Sequence, residues 1–421
     1  MSDLIIIWDW LMFALRWLHV VTAMAWIGTS FYFIALDLGL RRIENPSNQA
    51  DGEEWQVHGG GFYHVQKYLV APQKLPKHLV WFKWESYTTW LSGAALLMLM
   101  YWAGAELYLI DRSKIELNLT SAILISAGSL AIGWLLYDFL CKSSLRYYPN
   151  ALMVLLFIFL MVMAWGYNQV FSGRAALLHL GSLTATIMTG NVFFVIMPNQ
   201  RIVVNDLMNR RTPKAEYGRI AKLRSTHNNY LTLPVIFLML SNHYPLAFAS
   251  QYNWLIAGLV FLIGVNIRYY FNTLNSRKGP KNWTWLFTAG LFILIMWLST
   301  TGLRVSDTDT QYMSEKDKLF GSADGFEDVY EIVNIHCSMC HSRMPTYQGI
   351  YYAPNQVYLE TPQDVMSQAK LIFLQSAITD AMPPGNLTGM QRFERDEIKE
   401  WYILAESHRP ILSRLNKFFS D

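Results

Sequence analysis

The residues with the most definite chemistry are Cys337-Ser338-Met339-Cys340-His341. Two thiols at this spacing can form thioethers to the two vinyl groups of one haem, and the adjacent imidazole then reaches the iron. The pattern is that of c-type haem attachment, with Cys337 and Cys340 covalent and His341 on the metal. Zinc would need two more ligands nearby, and a thioredoxin-like pair would sit in a βαβ pattern that the flanking residues lack. A second axial ligand should come from a distant loop. Ala381-Met382-Pro383-Pro384-Gly385-Asn386 offers the Met382 thioether on a backbone stiffened by prolines. Met339, Met344, Met366 and Met390 are the other thioethers of the region. His/Met ligation would raise the haem potential.

These groups need a small helical scaffold. Phe326 to Ile335 and Arg392 to Glu406 read as amphipathic helices on either side of the motif and the methionine loop. That order looks like a small class I cytochrome c, expected over 320–421. Ser306-Asp307-Thr308-Asp309-Thr310 opens a solvated linker over 306–319.

Residues 1–305 differ in composition. The whole chain has 421 residues, 52% hydrophobic and only 15% charged, against about 25% charged in soluble domains. A net charge of +3 argues against a nucleic-acid partner. Three cysteines make no disulfide framework. A helix needs about 20 mostly apolar residues to cross a bilayer. Eight runs qualify, near 11–36, 84–103, 119–140, 151–171, 175–198, 230–247, 252–272 and 283–303. The expected architecture is therefore all-α: eight transmembrane helices followed by the cytochrome domain. Alternate connections carry 18 Lys and Arg against 3 on the other side. This places the N-terminus and the cytochrome outside the cytoplasm, with the first span an uncleaved anchor. Haem is attached outside the cytoplasm too, so a bacterial inner membrane is expected.

Ionisable groups inside apolar runs are costly and mark function. His19, His179 and His243 share the outer depth, and two of them could clamp a non-covalent haem b. At the inner end Glu85, Asp138 and His227 are candidate proton acceptors. Asn191, Asn228 and Trp84 could hold and stack on a planar heterocycle. His58-Gly59-Gly60-Gly61-Phe62-Tyr63-His64 lets backbone approach something closely, but it lacks the dinucleotide fingerprint and a preceding strand. Lys67, Lys74, Lys77 and His78 read as a solvated basic face. Cys141, alone at an inner helix end, reads as structural.

Val57 to Tyr68 (VHGGGFYHVQKY), Leu75 to Gly93 (LPKHLVWFKWESYTTWLSG) and Arg224 to Pro245 (RSTHNNYLTLPVIFLMLSNHYP) resemble the bacterial membrane-bound urate oxidases. The resemblance covers essentially the whole chain. It implies an eight-span domain fused to a cytochrome c. The implied reaction oxidises urate to 5-hydroxyisourate, with electrons leaving through the haem to a downstream cytochrome c or terminal oxidase. The competing reading is a respiratory subunit that passes electrons from quinol to the cytochrome without urate chemistry.

Overall fold

A computed structural model describes residues 2–41, 50–68, 76, 78–111, 114–248, 250, 252–300, 319–347, 350, 352–378, 382–383 and 386–407. The expected linker (bar Leu319), Lys74, Lys77, Ala381, Pro384 and Gly385 lie outside the described residues.

The first apolar run becomes α1 (Ser2–Gly39), which extends past the run at both ends. An antiparallel hairpin follows, β1 (Gly52–His58) and β2 (Gly61–Lys67). Gly59 and Gly60 turn it at φ 58° and 79°, a conformation that side chains with a Cβ resist. Two expectations are corrected here. The chain is mostly helical rather than all-α, and a strand does precede the glycines, which serve a turn rather than a ligand. Trp55 stacks on its cross-strand neighbour His64 at 4.3 Å. The hairpin is tied back to α1 by the Tyr32 hydroxyl, which donates to Gln56 at 2.7 Å, and by an ion pair of Lys67 with Asp37. Lys67 is thus engaged rather than free on a basic face, while His78 is exposed.

The remaining helices of this unit are α2 (Trp84–Leu97) and α3 (Leu119–Lys142), then α4 (Pro149–Val170) and α5 (Gly173–Gly190). They continue with α6 (Met197–Met208), α7 (Ala215–Leu240), α8 (Asn253–Asn275) and α9 (Trp283–Thr300). Their ends have local causes. The Asn118 side chain caps α3 by accepting from the Ser121 N–H at 2.8 Å, Pro149 starts α4, and Ser172 caps α5. Five helical stretches are long and apolar enough to cross a membrane: Trp10–Gly39, α3, α4, Gly173–Met208 and α8. The runs at 84–103 and 230–247 and the described part of 283–303 are also largely helical but fall short of that test. A π-helical turn at Met98–Trp102 interrupts the first, α7 begins among polar residues, and α9 is shorter.

Helix α5 is the centre of the bundle and packs on α3, α4 and α7. Small residues allow the close approach. A methyl on Gly181 would lie 3.0 Å from Leu238, and one on Gly264 would lie 2.5 Å from the Pro234 ring. A second π-helical turn, Asn191–Ile196, joins α5 to α6 in one rod. Such turns re-aim side chains, often at functional sites.

A second compact unit follows the bundle in the chain. It contains α10 (Phe326–His336), α11 (Pro362–Ser367) and α12 (Arg392–Ser407). Its core is aromatic: Trp401 is buried against Phe320 and Phe326, and its indole N–H donates to the Phe320 carbonyl at 3.0 Å. Tyr402 stacks on Phe373 at 4.2 Å.

Candidate functional site

A buried polar network joins α3, the Asn191 turn and α7, and one residue sets its direction. Arg224, 2% exposed, can only donate. Its Nη1 donates to Asn191 Oδ1 at 3.1 Å and its Nη2 to Asp138 Oδ1 at 2.5 Å. With its oxygen fixed on Arg224, Asn191 must offer its amide N–H groups, and these reach the Tyr137 hydroxyl and Asn228 Oδ1, each at 2.9 Å. Asn228 in turn donates to the Met188 carbonyl at 3.0 Å. Tyr137 already accepts from Asn191, so its own O–H donates to His227 Nδ1 at 2.8 Å. The His227 proton is then on Nε2, which is buried without a partner among the described residues. Arg224 also lies over the Tyr137 ring at 5.0 Å.

Four of the six inner residues expected from the sequence, Asp138, Asn191, His227 and Asn228, are therefore joined in one network. Asp138 fits the role of proton acceptor poorly. One carboxylate oxygen is held by Arg224 and the other by Lys142 at 2.6 Å, so an incoming proton competes with two cations. Glu85 and Trp84, at the start of α2, share no hydrogen bond or ring contact with the network among the described residues. Trp84 meets Tyr87, and Tyr87 meets Phe193 in the π-helical turn. His227-Asn228-Asn229-Tyr230 lies in the middle of α7, not at a helix opening, because the helix begins at Ala215. Asn229 faces the other way and accepts from Arg268 Nε at 2.7 Å. Tyr137 and Arg224 are the site residues that sequence reasoning missed. Cys141, 3.9 Å from His227 Nδ1, borders the network.

Against this network lies a half-open cleft of about 650 Å³, bounded by Trp134, Asp138, Lys142, Arg146, Phe194 and Arg224 among others. Its walls are largely apolar and its charged rim is cationic.

The three outer histidines are not brought together by any hydrogen bond or ring contact among the described residues. His19 on α1 uses Nδ1 against α2, at 3.0 Å from the Thr89 carbonyl and 3.1 Å from Ser92 Oγ. His179 is fully buried. Its Nδ1 donates to the Ala175 carbonyl at 2.8 Å, and its Nε2 lone pair takes the Ser126 hydroxyl at 2.7 Å. Tyr101, Tyr167 and Phe171 surround its ring. It could hold iron only by giving up Ser126, which is itself fixed by the Trp102 N–H at 2.8 Å. His243 is exposed in the turn after α7.

In the second unit α10 delivers the motif. The Cys337 N–H closes the helix on the Val333 carbonyl, and the amides of Cys340 and His341 both reach back to the Cys337 carbonyl, so the five residues form a compact turn. The three cysteines of the chain are unpaired. Burial pushes the Cys337 thiol up to about 12, and burial raises Cys340 as well. Neither thiol has the lowered value of an activated nucleophile. The His341 Nδ1 lies 3.0 Å from the Val357 carbonyl. A carbonyl only accepts, so the ring proton is on Nδ1 and the Nε2 lone pair is free of hydrogen bonds among the described residues. That is the tautomer an iron ligand requires. These residues fit a covalent haem.

The Met382 segment is anchored on both sides. Its N–H donates to the Gln375 carbonyl at 2.9 Å, and its carbonyl accepts from Arg395 at 2.9 Å. Arg395 also reaches Asn386. From α10, buried His336 joins Thr388 Oγ1 at 2.8 Å to Glu394 Oε1 at 3.0 Å. Burial acts to raise the Glu394 carboxyl, but the Gln391 N–H and His336 outweigh it and hold it below its ordinary value. A carboxyl lowered on folding stabilises the fold above its unfolded value, and that contribution is lost as pH falls through the folded one. The melting-temperature advantage of wild type over Glu394→Gln should therefore hold at pH 7 and shrink below about pH 4.5. A constant difference across that range would deny the carboxyl this role.

The first unit is thus a helical bundle with membrane-length apolar helices, a buried Arg-directed network and an adjoining cationic cleft. The urate oxidase N-terminal family model matches residues 5–299, well over half of the chain, and the chain belongs to that family. No curated protein and no solved structure matches it.

Proposed function

We propose that the chain oxidises urate to 5-hydroxyisourate and delivers the electrons to a c-type haem carried by its own second unit, without reducing oxygen. The carrying observation is that one chain joins a urate oxidase bundle to a Cys337–Cys340–His341 turn whose imidazole presents a free Nε2. The half-reaction balances as urate plus water giving 5-hydroxyisourate, two protons and two electrons. The haem would be held by Cys337 and Cys340 through thioethers and by His341 and Met382 on the iron. When bound, it would accept electrons one at a time.

The Tyr137–His227 pair takes up a released proton. Neutral His227 accepts at Nδ1, through the Tyr137 hydroxyl, while Asn191 and Arg224 hold the phenol in place. General acid–base help of this kind contributes typically 10²–10⁴-fold. All eight apolar helices are read as spans of a bacterial inner membrane. The 18-to-3 charge asymmetry puts the network and its basic rim at the cytoplasmic end, which attracts an anion, and puts the second unit in the periplasm. A second cytochrome c or a terminal oxidase would take the electrons onward.

Adding urate to anaerobic purified protein should reduce its haem c, read at the band near 550 nm, and the same reaction run in air should form no peroxide. Reduction by a quinol but not by urate would favour the respiratory-subunit reading. A pyridine haemochrome assay of the same sample tests the electron route: haem c alone would leave a hydrocarbon core of about 30 Å unbridged and move the substrate to the outer side. Haem b in that assay would restore the outer histidines as ligands.

A further inference from the structure

The cleft beside the network has features that the proton relay does not use. Trp134, one turn before Tyr137 on α3, packs against Gly190 at the end of α5. A methyl on Gly190 would stand 2.7 Å from two ring carbons of Trp134, and a rigid indole cannot yield to it. Glycine at 190 therefore lets the helices close and fixes the ring's position. Phe194, from the π-helical turn, continues the aromatic wall, its ring 5.7 Å from Trp134 and inclined by 29°. Opposite charge is scarce. Lys142, Arg146 and Arg224 face Asp138 alone among the lining residues. The Lys142 side chain pairs with Asp138 at 2.6 Å yet is 70% exposed, and Arg146 meets the rim carboxylate Glu216 at 3.5 Å and donates to the Tyr147 hydroxyl at 2.8 Å. An immobilised aromatic wall with an excess of cations suits a flat, delocalised anion, which stacks on the rings and meets charge along its edge. A volume of about 650 Å³ falls within the ordinary range for small-molecule sites.

We infer that this cleft is where the planar anionic purine seats, with Trp134 and Phe194 as its stacking wall, Lys142 and Arg146 drawing it in, and Arg224 as the charge at its inner end. The inference rests on the proposed urate oxidation. It moves the stacking role from Trp84, which is remote from the network, to Trp134, which adjoins it. It also gives Arg224 two positioning roles, since the guanidinium borders the cleft and holds Asn191, which in turn holds the Tyr137 hydroxyl.

Steady-state urate-dependent haem c reduction and equilibrium dialysis with radiolabelled urate test it on the full-length holoprotein. Trp134→Leu should raise KM and Kd roughly 10-fold, the scale of one ring stacked on an aromatic side chain, with kcat changed far less. Trp134→Phe should recover most of the loss, which a merely structural tryptophan would not predict. The double variant Lys142→Gln, Arg146→Gln should raise KM and flatten its dependence on ionic strength. Wild type that oxidises urate while Trp134→Leu and the double variant keep wild-type KM and Kd would overturn the cleft and leave the urate reading standing. Wild type that neither binds nor oxidises urate would remove both.

Discussion

His227→Ala should cut urate-dependent haem c reduction by about 100- to 10,000-fold, the range of a lost general base, with the haem spectrum unchanged. The size of the effect follows from the direction of the network. Arg224 cannot accept, so the branch through Asn191 and Tyr137 points toward His227 Nδ1, on which it ends, while a second branch runs through Asn228 to the Met188 carbonyl. Without the imidazole the Tyr137 hydroxyl has nowhere in its own path to pass a proton. Tyr137→Phe should show a similar loss, because it cuts the same path one atom earlier. Glu85→Gln should remain close to wild type, since Glu85 shares no bond with the network among the described residues. If His227→Ala turns over at near the wild-type rate while Glu85→Gln does not, the proton leaves on the α2 side and the assignment is reversed.

Part of this site was legible in the sequence because burying polar groups in apolar helix is costly. Asp138, Asn191 and His227 stood out for that reason, and the structure joins them. Tyr137 did not stand out, since a tyrosine near the end of an apolar run reads as an interface anchor. Arg224 was hidden by a boundary. With the sixth apolar run starting at 230, it counted as a loop cation, whereas α7 begins at Ala215 and places it inside the bundle. The apolar pattern marks where lipid-facing and core residues begin. It is silent on a helix that continues through polar residues which satisfy one another. Depth along a helix likewise grouped His19, His179 and His243, but it says nothing of azimuth, and Ser126 takes the nitrogen of His179 that a haem would need. The hairpin was missed for a different reason: three glycines were read as room for a ligand, although the flanking alternation of Trp55 and Val57 with Phe62 and His64 already pairs as strands. The Cys337–His341 motif stood out by residue type and spacing alone. The Val357 carbonyl that orients its histidine is sixteen residues away and has no sequence signature.

Cys337→Ala and Cys340→Ala should each abolish or severely reduce haem that survives denaturing electrophoresis, detected by peroxidase staining, and should abolish urate-dependent turnover. On the proposed attachment two thioethers would hold one macrocycle, so both thiols would be needed, and neither residue has a substitute among the three cysteines of the chain. Met382→Ala separates attachment from tuning. On that proposal both thioethers and the His341 ligand would remain, so the haem would stay covalent, while loss of the axial sulfur would lower its potential. The loop itself should survive, since Arg395 and His336 hold its backbone and Thr388 independently of the thioether. Urate then meets a weaker acceptor, and reduction should slow without any change in urate Kd. This pattern distinguishes the electron-accepting end of the reaction from the substrate end, where Trp134→Leu is expected to change Kd and spare the haem. A wild-type protein with no covalently held haem would end the proposal of an internal acceptor. An unchanged potential in Met382→Ala would move the axial role to another of the unit's methionines.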